Sequence, residues 1–265
     1  ISPLFSITFL EIFMGSSNFP SHFHLPTCNL SAKRVTGFLL SIIALLVFFN
    51  LVERAIVYWL NATQGTQLIS HYFNFDQEAN FPSLYSALAL GFCSYLLIII
   101  FNIRKAKKTR DVKHWKALSL IFLFLALDEA CSIHELLIPV LRGAINARGI
   151  LYFTWVVPAF FLLIVFLAVF RKFIFNLPTK TRTIFILAGS VYVVGALGME
   201  LVGGYIADTI GYNTFYGLAS TIEELLEMFG IVIFVNGLLS YIQSQLTELH
   251  FSLSFKPSGN KVLHH

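Results

Sequence analysis

Half of the fourteen acidic residues in this chain lie inside strongly apolar runs that contain no Lys or Arg. They are Asp128, Glu129, Glu135, Glu200, Glu223, Glu224 and Glu227. Inserting one charged side chain at the centre of a membrane helix costs about 2.5–3.5 kcal/mol. Seven such insertions cost roughly 20 kcal/mol, more than the whole stability of a typical domain, about 5–15 kcal/mol. Seven bare anions facing lipid are therefore excluded. The carboxyls must be protonated, hydrogen-bonded, hydrated or neutralised by a cation.

Their spacing narrows the chemistry. At about 100° per residue, Asp128, Ser132 and Glu135 fall on one helical face, with Cys131 at its edge and Glu129 and His134 on its flanks. Glu223, Glu224 and Glu227 fit one arc of a helix, at spacings where like charges repel. Two or three carboxyls so placed share protons or take up a cation. Carboxylates with one imidazole are oxygen-rich ligands, suited to iron, manganese, zinc or calcium. The predicted metal ligands are Asp128, Glu129, His134, Glu135, Glu200, Glu223, Glu224 and Glu227. The Glu-x-x-His pairs of ferritin-like dimetal bundles and the His-Glu-x-x-His of zinc proteases are absent, so such a site would follow neither pattern.

The elements that must position these residues are membrane helices. The chain is 57% hydrophobic and 12% charged, against about 25% charged in soluble domains. Six apolar segments, 35–60, 83–103, 117–141, 150–170, 182–206 and 217–242, are each long enough to cross a hydrocarbon core. Helices alone satisfy their own backbone in lipid without closing a barrel. Lys and Arg concentrate in the 104–116 and 171–182 connections and in the tails, while the alternate connections hold only Arg142 and Arg148. Positive residues mark the cytoplasmic side, which predicts both termini inside. The net charge of +4 is thus a topology signal, and nucleic acid is excluded as a partner. Tyr58, Trp59, Tyr152 and Trp155 fall near the outer boundary, as an aromatic belt does.

This topology brings acids from the third, fifth and sixth segments to matched depth, between the midplane and the outer face. Asp76 and Glu78, in the outer loop before Pro82, lie on the same side of the membrane as the acid cluster, and two readings stand for them: the mouth of that cluster, or, favoured, acids at a helix start that suit its dipole. Gly195, Gly198, Gly203 and Gly204 around Glu200 permit close helix approach. Cys28, Cys93 and Cys131 imply no disulfide framework. Residues 1–34 read as an interfacial or disordered lead, 35–242 as the membrane domain and 243–265 as a cytoplasmic tail. The sequons at Asn29 and Asn61 matter only in a secretory eukaryotic host.

Four stretches carry a resemblance: Phe75-Asp-Gln-Glu-Ala-Asn-Phe-Pro82, the DExxxxHE run from Asp128 to Glu135, the GxELxGG run from Gly198 to Gly204, and the EExxE run from Glu223 to Glu227. In this order they resemble an uncharacterised family of bacterial six-transmembrane proteins. The resemblance implies a multi-pass protein of the bacterial inner membrane and no established activity.

The fold predicted is all-α, a six-transmembrane-helix bundle with both termini in the cytoplasm. The function predicted is an intramembrane carboxylate/His site binding a divalent metal cation, used by a membrane-embedded enzyme on a lipid or small-molecule substrate. Two alternatives stand beside it: a proton- or cation-coupled transporter, and a membrane scaffold whose protonated acids join helices. The absence of an internal repeat counts against the transporter.

Overall fold

The computed structural model describes residues 31–60 and 71–254. These residues form helices joined by turns and contain no strand. The helices are α1 (Ala32–Leu60), α2 (Phe81–Ala106), α3 (Val112–Cys131), α4 (Leu137–Ile145), α5 (Val156–Phe175), α6 (Thr179–Val193), α7 (Glu200–Ile210) and α8 (Thr214–Ser254). A single 3₁₀ turn, Gly149–Leu151, precedes α5. A wide π turn, Val194–Met199, joins α6 to α7, so the three form one rod, Thr179–Ile210.

Five helices are long and apolar enough to cross a membrane: Ala32–Ile56, Phe81–Ala106, Val156–Phe175, Thr179–Ile210 and Thr214–Gln245. The third predicted segment differs from these because α3 carries Lys113 and Lys116 at one end and Asp128 and Glu129 at the other.

α8 is the central element. It lies close along α6, α2, α1, α7 and the π turn. At one end, Trp115, Leu97, Ile100, Val235 and Leu238 close a dry core, with Trp115 stacked on Tyr241 at 5.1 Å and edge-on to Phe173 at 5.0 Å. At the other, Ile43, Leu46, Phe75, Tyr85, Met228 and Val232 form a smaller cluster. The rod and α8 meet backbone to backbone. A Cβ on Gly230 would stand 2.8 Å from the Tyr192 backbone N, and one on Gly195 would stand 2.9 Å from the Glu223 carbonyl O.

The start of α2 follows from its sequence. The Asn80 side chain accepts from the Ser83 N–H at 3.1 Å, Ser83 Oγ accepts from the Asn80 N–H at 3.0 Å, and Pro82 fills the first turn. This reciprocal cap satisfies donors the helix leaves open. The α2–α3 turn is pinned differently. Asp111 Oδ1 accepts from Arg104 Nε at 3.1 Å and Nη2 at 3.0 Å, and Oδ2 accepts from Trp115 Nε1 at 2.8 Å. Burial alone would raise the Asp111 pKa, but these donors and the Arg104 charge hold it below the usual carboxylate value. A lowered folded-state pKa contributes stability that is present above the unfolded value and lost as pH falls through the folded one. Asp111→Asn should therefore destabilise the protein at pH 7 by about 1 kcal/mol, allowing for partial exposure. The difference from wild type should begin to narrow as pH falls below the unfolded value of about 4, and should close only once pH falls below the lowered folded pKa. Denaturant melts at pH 7 and pH 3.5 check this; a gap of equal size at both would show that the charge plays no part.

The structure corrects several predicted boundaries. The third segment is not one helix from 117 to 141: α3 ends at Cys131 and α4 begins at Leu137. Asp128 causes the break. Its carbonyl accepts from the Ser132 and Ile133 N–H groups, its side chain accepts from the His134 N–H at 2.8 Å, and Ser132 takes the left-handed conformation with φ 52°. These local bonds replace the next helical turn. The common helical face proposed for Asp128 and Glu135 therefore does not exist. The fourth segment starts later, at Val156, and the sixth continues to Ser254, twelve residues past the predicted membrane end. Lys33 and Arg34 belong to α1 rather than to a lead. The predicted interfacial lead over residues 1–14, both sequons and the last eleven residues of the tail lie outside the described residues.

Candidate functional site: a carboxylate cluster around His134

The turn after α3 places His134 between two carboxylates. Nδ1 lies 3.1 Å from Asp128 Oδ2, and Nε2 lies 3.1 Å from Glu78 Oε1. A doubly protonated ring donates to both carboxylates, whereas a neutral ring donates to one and accepts from the other in its protonated form. The ring packs against Trp155 at 4.7 Å between centroids.

Glu78 reaches His134 because the preceding loop is built as a rigid strap. Asn80 Nδ2 donates to the Asn74 and Gln77 carbonyls at 2.7 and 2.6 Å, and Asn74 Oδ1 accepts from the Asp76 N–H at 2.9 Å. The strap is tied to α8 where Ser220 Oγ donates to Asp76 Oδ1 at 3.3 Å, and to α1 where Asn50 Nδ2 donates to the Phe73 carbonyl at 3.1 Å. Of the two sequence readings of Glu78, the favoured helix-start acid gives way to the other: Pro82 and Asn80 start the helix, and Glu78 faces His134 at the edge of the acid cluster.

From Trp155 the network continues inward. Its Nε1–H donates to Glu200 Oε1 at 2.6 Å. Glu200, at the first turn after the π segment, shares a hydrogen bond with Glu223 of α8. Two carboxyls at that distance cannot both be bare anions, so a proton or a cation lies between them. The Tyr192 hydroxyl donates to Glu227, one turn further along α8. Glu129 of α3 has Glu224, Glu78, His134 and Asp128 as electrostatic neighbours, and Glu227 has Glu129, His134 and Glu200.

All eight predicted residues are therefore linked, though not equivalently. Asp128, Glu129, His134, Glu200, Glu223, Glu224 and Glu227 are partly buried. Glu135 is exposed and stands at the rim beside Glu78, His134 and Asp76. α3 lies close along α2 but makes no extended close approach to α8. The acids of the two helices face one another across that gap, which is why none of them is fully buried. Among the described residues, no three His, Cys, Asp or Glu side chains already stand in an arrangement that would hold a metal ion.

The sequence reading missed Tyr192 and the polar role of Trp155, and it offered Glu78 only as the less favoured of two readings, at the mouth of the cluster. Tyr192 stands two turns before Glu200 on the same segment, which is a usable signal. Trp155 was legible only as a boundary aromatic. A second polar group, in α1, was also missed. Asn50 and Glu53 are buried, Arg54 Nε donates to Asn50 Oδ1 at 3.3 Å, and the Arg54 guanidinium packs where a side chain on Gly217 would stand.

A family model described as a domain of unknown function (DUF8692) matches residues 38–242. The chain belongs to that family. No curated protein and no solved structure matches it. The matched span runs from the second turn of α1 into α8 and contains every residue of the His134 network. Together with five helices fit to cross a membrane, the family match describes a membrane protein of unknown activity.

Proposed function

We propose that this family member is a six-span protein of the bacterial inner membrane, with both termini cytoplasmic and a cation-binding site in the outer half of its bundle. The sixth span is α3, and its charged ends sit at the inner boundary and in the site. One observation carries the reading: eight carboxyls, from Glu78, Asp128, Glu129, Glu135, Glu200, Glu223, Glu224 and Glu227, converge around His134, the one basic side chain among the described residues that is bonded to any of them. Several kcal/mol are lost for each unpaired charge removed from water. A divalent metal, iron, manganese, zinc or calcium, offsets two such charges at once. Bound there, it would supply a Lewis acid facing a gap between membrane helices, suited to work on a lipid or another membrane-borne substrate.

The pairwise hydrogen bonds Trp155–Glu200, Glu200–Glu223 and Tyr192–Glu227 favour a second reading, in which protons take the place of metal. Such a cluster would serve as a proton relay in a transporter or as a joint between helices. Elemental analysis of the purified protein separates the readings. At least one equivalent of a divalent metal is expected, and metal-free protein whose melting ignores chelator would overturn the cation reading.

Orientation is tested independently. Single cysteines at Lys108 and Gln77, both exposed, in a background lacking Cys28, Cys93 and Cys131, should react with a membrane-impermeant thiol reagent from opposite faces of oriented vesicles. Labelling from one face would refute the six-span topology.

A further inference from the structure

Helix α2 brings a hydroxyl to the height of the carboxylate cluster. Ser86 is 2% exposed, and its Oγ is buried without a hydrogen-bond partner among the described residues. A buried polar group left unpaired is costly, so this hydroxyl is built to meet an oxygen or a cation. Two contacts show that α2 and α8 run in the same direction and set their register. Arg104 Nη1 donates to Gln245 Oε1 at 3.3 Å, and about five turns earlier on each helix stand Ser86 and Glu227. Their chain neighbours Tyr85 and Met228 meet in one buried cluster.

The direction of Ser86 follows from its own helix. Tyr85 turns toward α1, where its hydroxyl donates to the Leu39 carbonyl at 3.3 Å. Ser94 turns toward α3, where Oγ donates to the Ser119 carbonyl at 2.8 Å. At about 100° per residue, Ser86 lies midway between these directions, on the side opposite the exposed Leu84 and Leu88. That side faces α8. Because α3 returns antiparallel to α2, the Ser94–Ser119 contact also sets Glu129 within about one turn of Ser86 in height. Glu129, Glu224 and Glu227 are mutual electrostatic neighbours there. His134 is not free to join them, since both ring nitrogens already face carboxylates at 3.1 Å.

We propose that a hard divalent cation, of the calcium or manganese type, is held by Glu129, Glu224, Glu227 and the Ser86 hydroxyl, with His134 outside the ligand set. The inference rests on the cation reading and narrows it. Oxygen ligands suit magnesium, calcium and manganese, whereas imidazole suits zinc and iron. It also adds α2 to the helices that build the site.

The test uses Mn2+ and Ca2+ on purified full-length protein first stripped with chelator. Wild type should take up one equivalent of Mn2+, and the electron spin echo of that ion should show no directly bonded nitrogen. Ser86→Ala should weaken Mn2+ binding about tenfold. The same variant, metal-free, should melt no lower than metal-free wild type, because it loses an unpaired hydroxyl. Ser86→Cys should gain affinity for cadmium relative to Mn2+, as a thiolate ligand requires. A bonded-nitrogen signal, which needs no variant to measure, would overturn the ligand set, as would unchanged Mn2+ affinity in Ser86→Ala. Uptake of zinc but of neither Mn2+ nor Ca2+ would overturn this set alone. Uptake of no divalent metal would overturn the cation reading with it.

Discussion

Glu227→Gln should strip the protein of metal and lower its melting temperature together. Glu227 faces Glu129 of α3 across the gap between α3 and α8, with Glu224 of its own helix and Glu200 of α7 as further acidic neighbours and Tyr192 as its hydrogen-bond donor. If a divalent cation holds these carboxyls together, removing one ligand charge leaves the others uncompensated, a loss of about 3–5 kcal/mol. Chelator should then destabilise wild type by a similar amount and leave the variant little changed. The proton-filled alternative makes the opposite forecast. Gln is a neutral stand-in for a protonated Glu, so the variant should melt at or above wild type and chelator should do nothing. Metal stoichiometry and chelator-dependent melting of the two proteins decide between them.

Gly195→Ala should be strongly destabilising while Gly198→Ala, three residues away, should not. The added methyl at position 195 would stand 2.9 Å from the Glu223 carbonyl O, 3.0 Å from Glu227 Cγ and 3.0 Å from Leu226 Cβ. The first of these is backbone and cannot swing aside. Overpacking of this kind costs about 1–3 kcal/mol. At position 198 the nearest atom is Val194 Cγ1 at 3.8 Å, an ordinary contact, and Ala gains helix propensity of up to about 1 kcal/mol. Because Gly195 abuts the residues that carry Glu223 and Glu227, its substitution should also lower any metal content. Similar melting temperatures for the two variants would show that the rod does not approach α8 this closely.

The helical class of the fold and the residues of the cluster were legible in the sequence for one reason: apolar runs without Lys or Arg make each acid conspicuous. Matched depth on three segments then followed from counting residues. What failed was local. The apolar run 117–141 continues through Asp128, and its one breaker, Pro139, comes only in the first turn of α4, after Asp128 has already ended α3 by bonding the backbone of residues 132–134. Hydrophobic pattern carries no information about such a bond. Glu78 was placed on the correct side of the membrane as a candidate mouth of the cluster, but Asn80 and Pro82, which explain a helix start by themselves, tipped the reading toward a dipole acid. Asn50, Glu53 and Arg54 were overlooked because α1 is apolar enough to absorb them in any window average. The glycines around Glu200 signalled a close approach correctly, but only Gly195 and Gly204 have neighbours near enough to need it, while Gly198 and Gly203 stand at ordinary contact distance.

The π turn at Val194–Met199 has a consequence for how the rod can change. A π turn holds one more residue than an α turn. The half before it is fixed in register by Tyr192 against Gly230 of α8, and the half after it by Gly204 against Phe153 and Tyr152. Neither half dictates the rotation of the other; the wide turn absorbs the difference. Deleting a single residue there would restore an unbroken α-helix and swing Glu200 about 100° around the axis, away from Trp155 and Glu223. Such a deletion would also turn Gly204 out of its contacts with Phe153 and Tyr152 and strain the approach of Gly195 to α8, so the wide turn keeps Glu200 in the cluster and α7 in its packing at the same time.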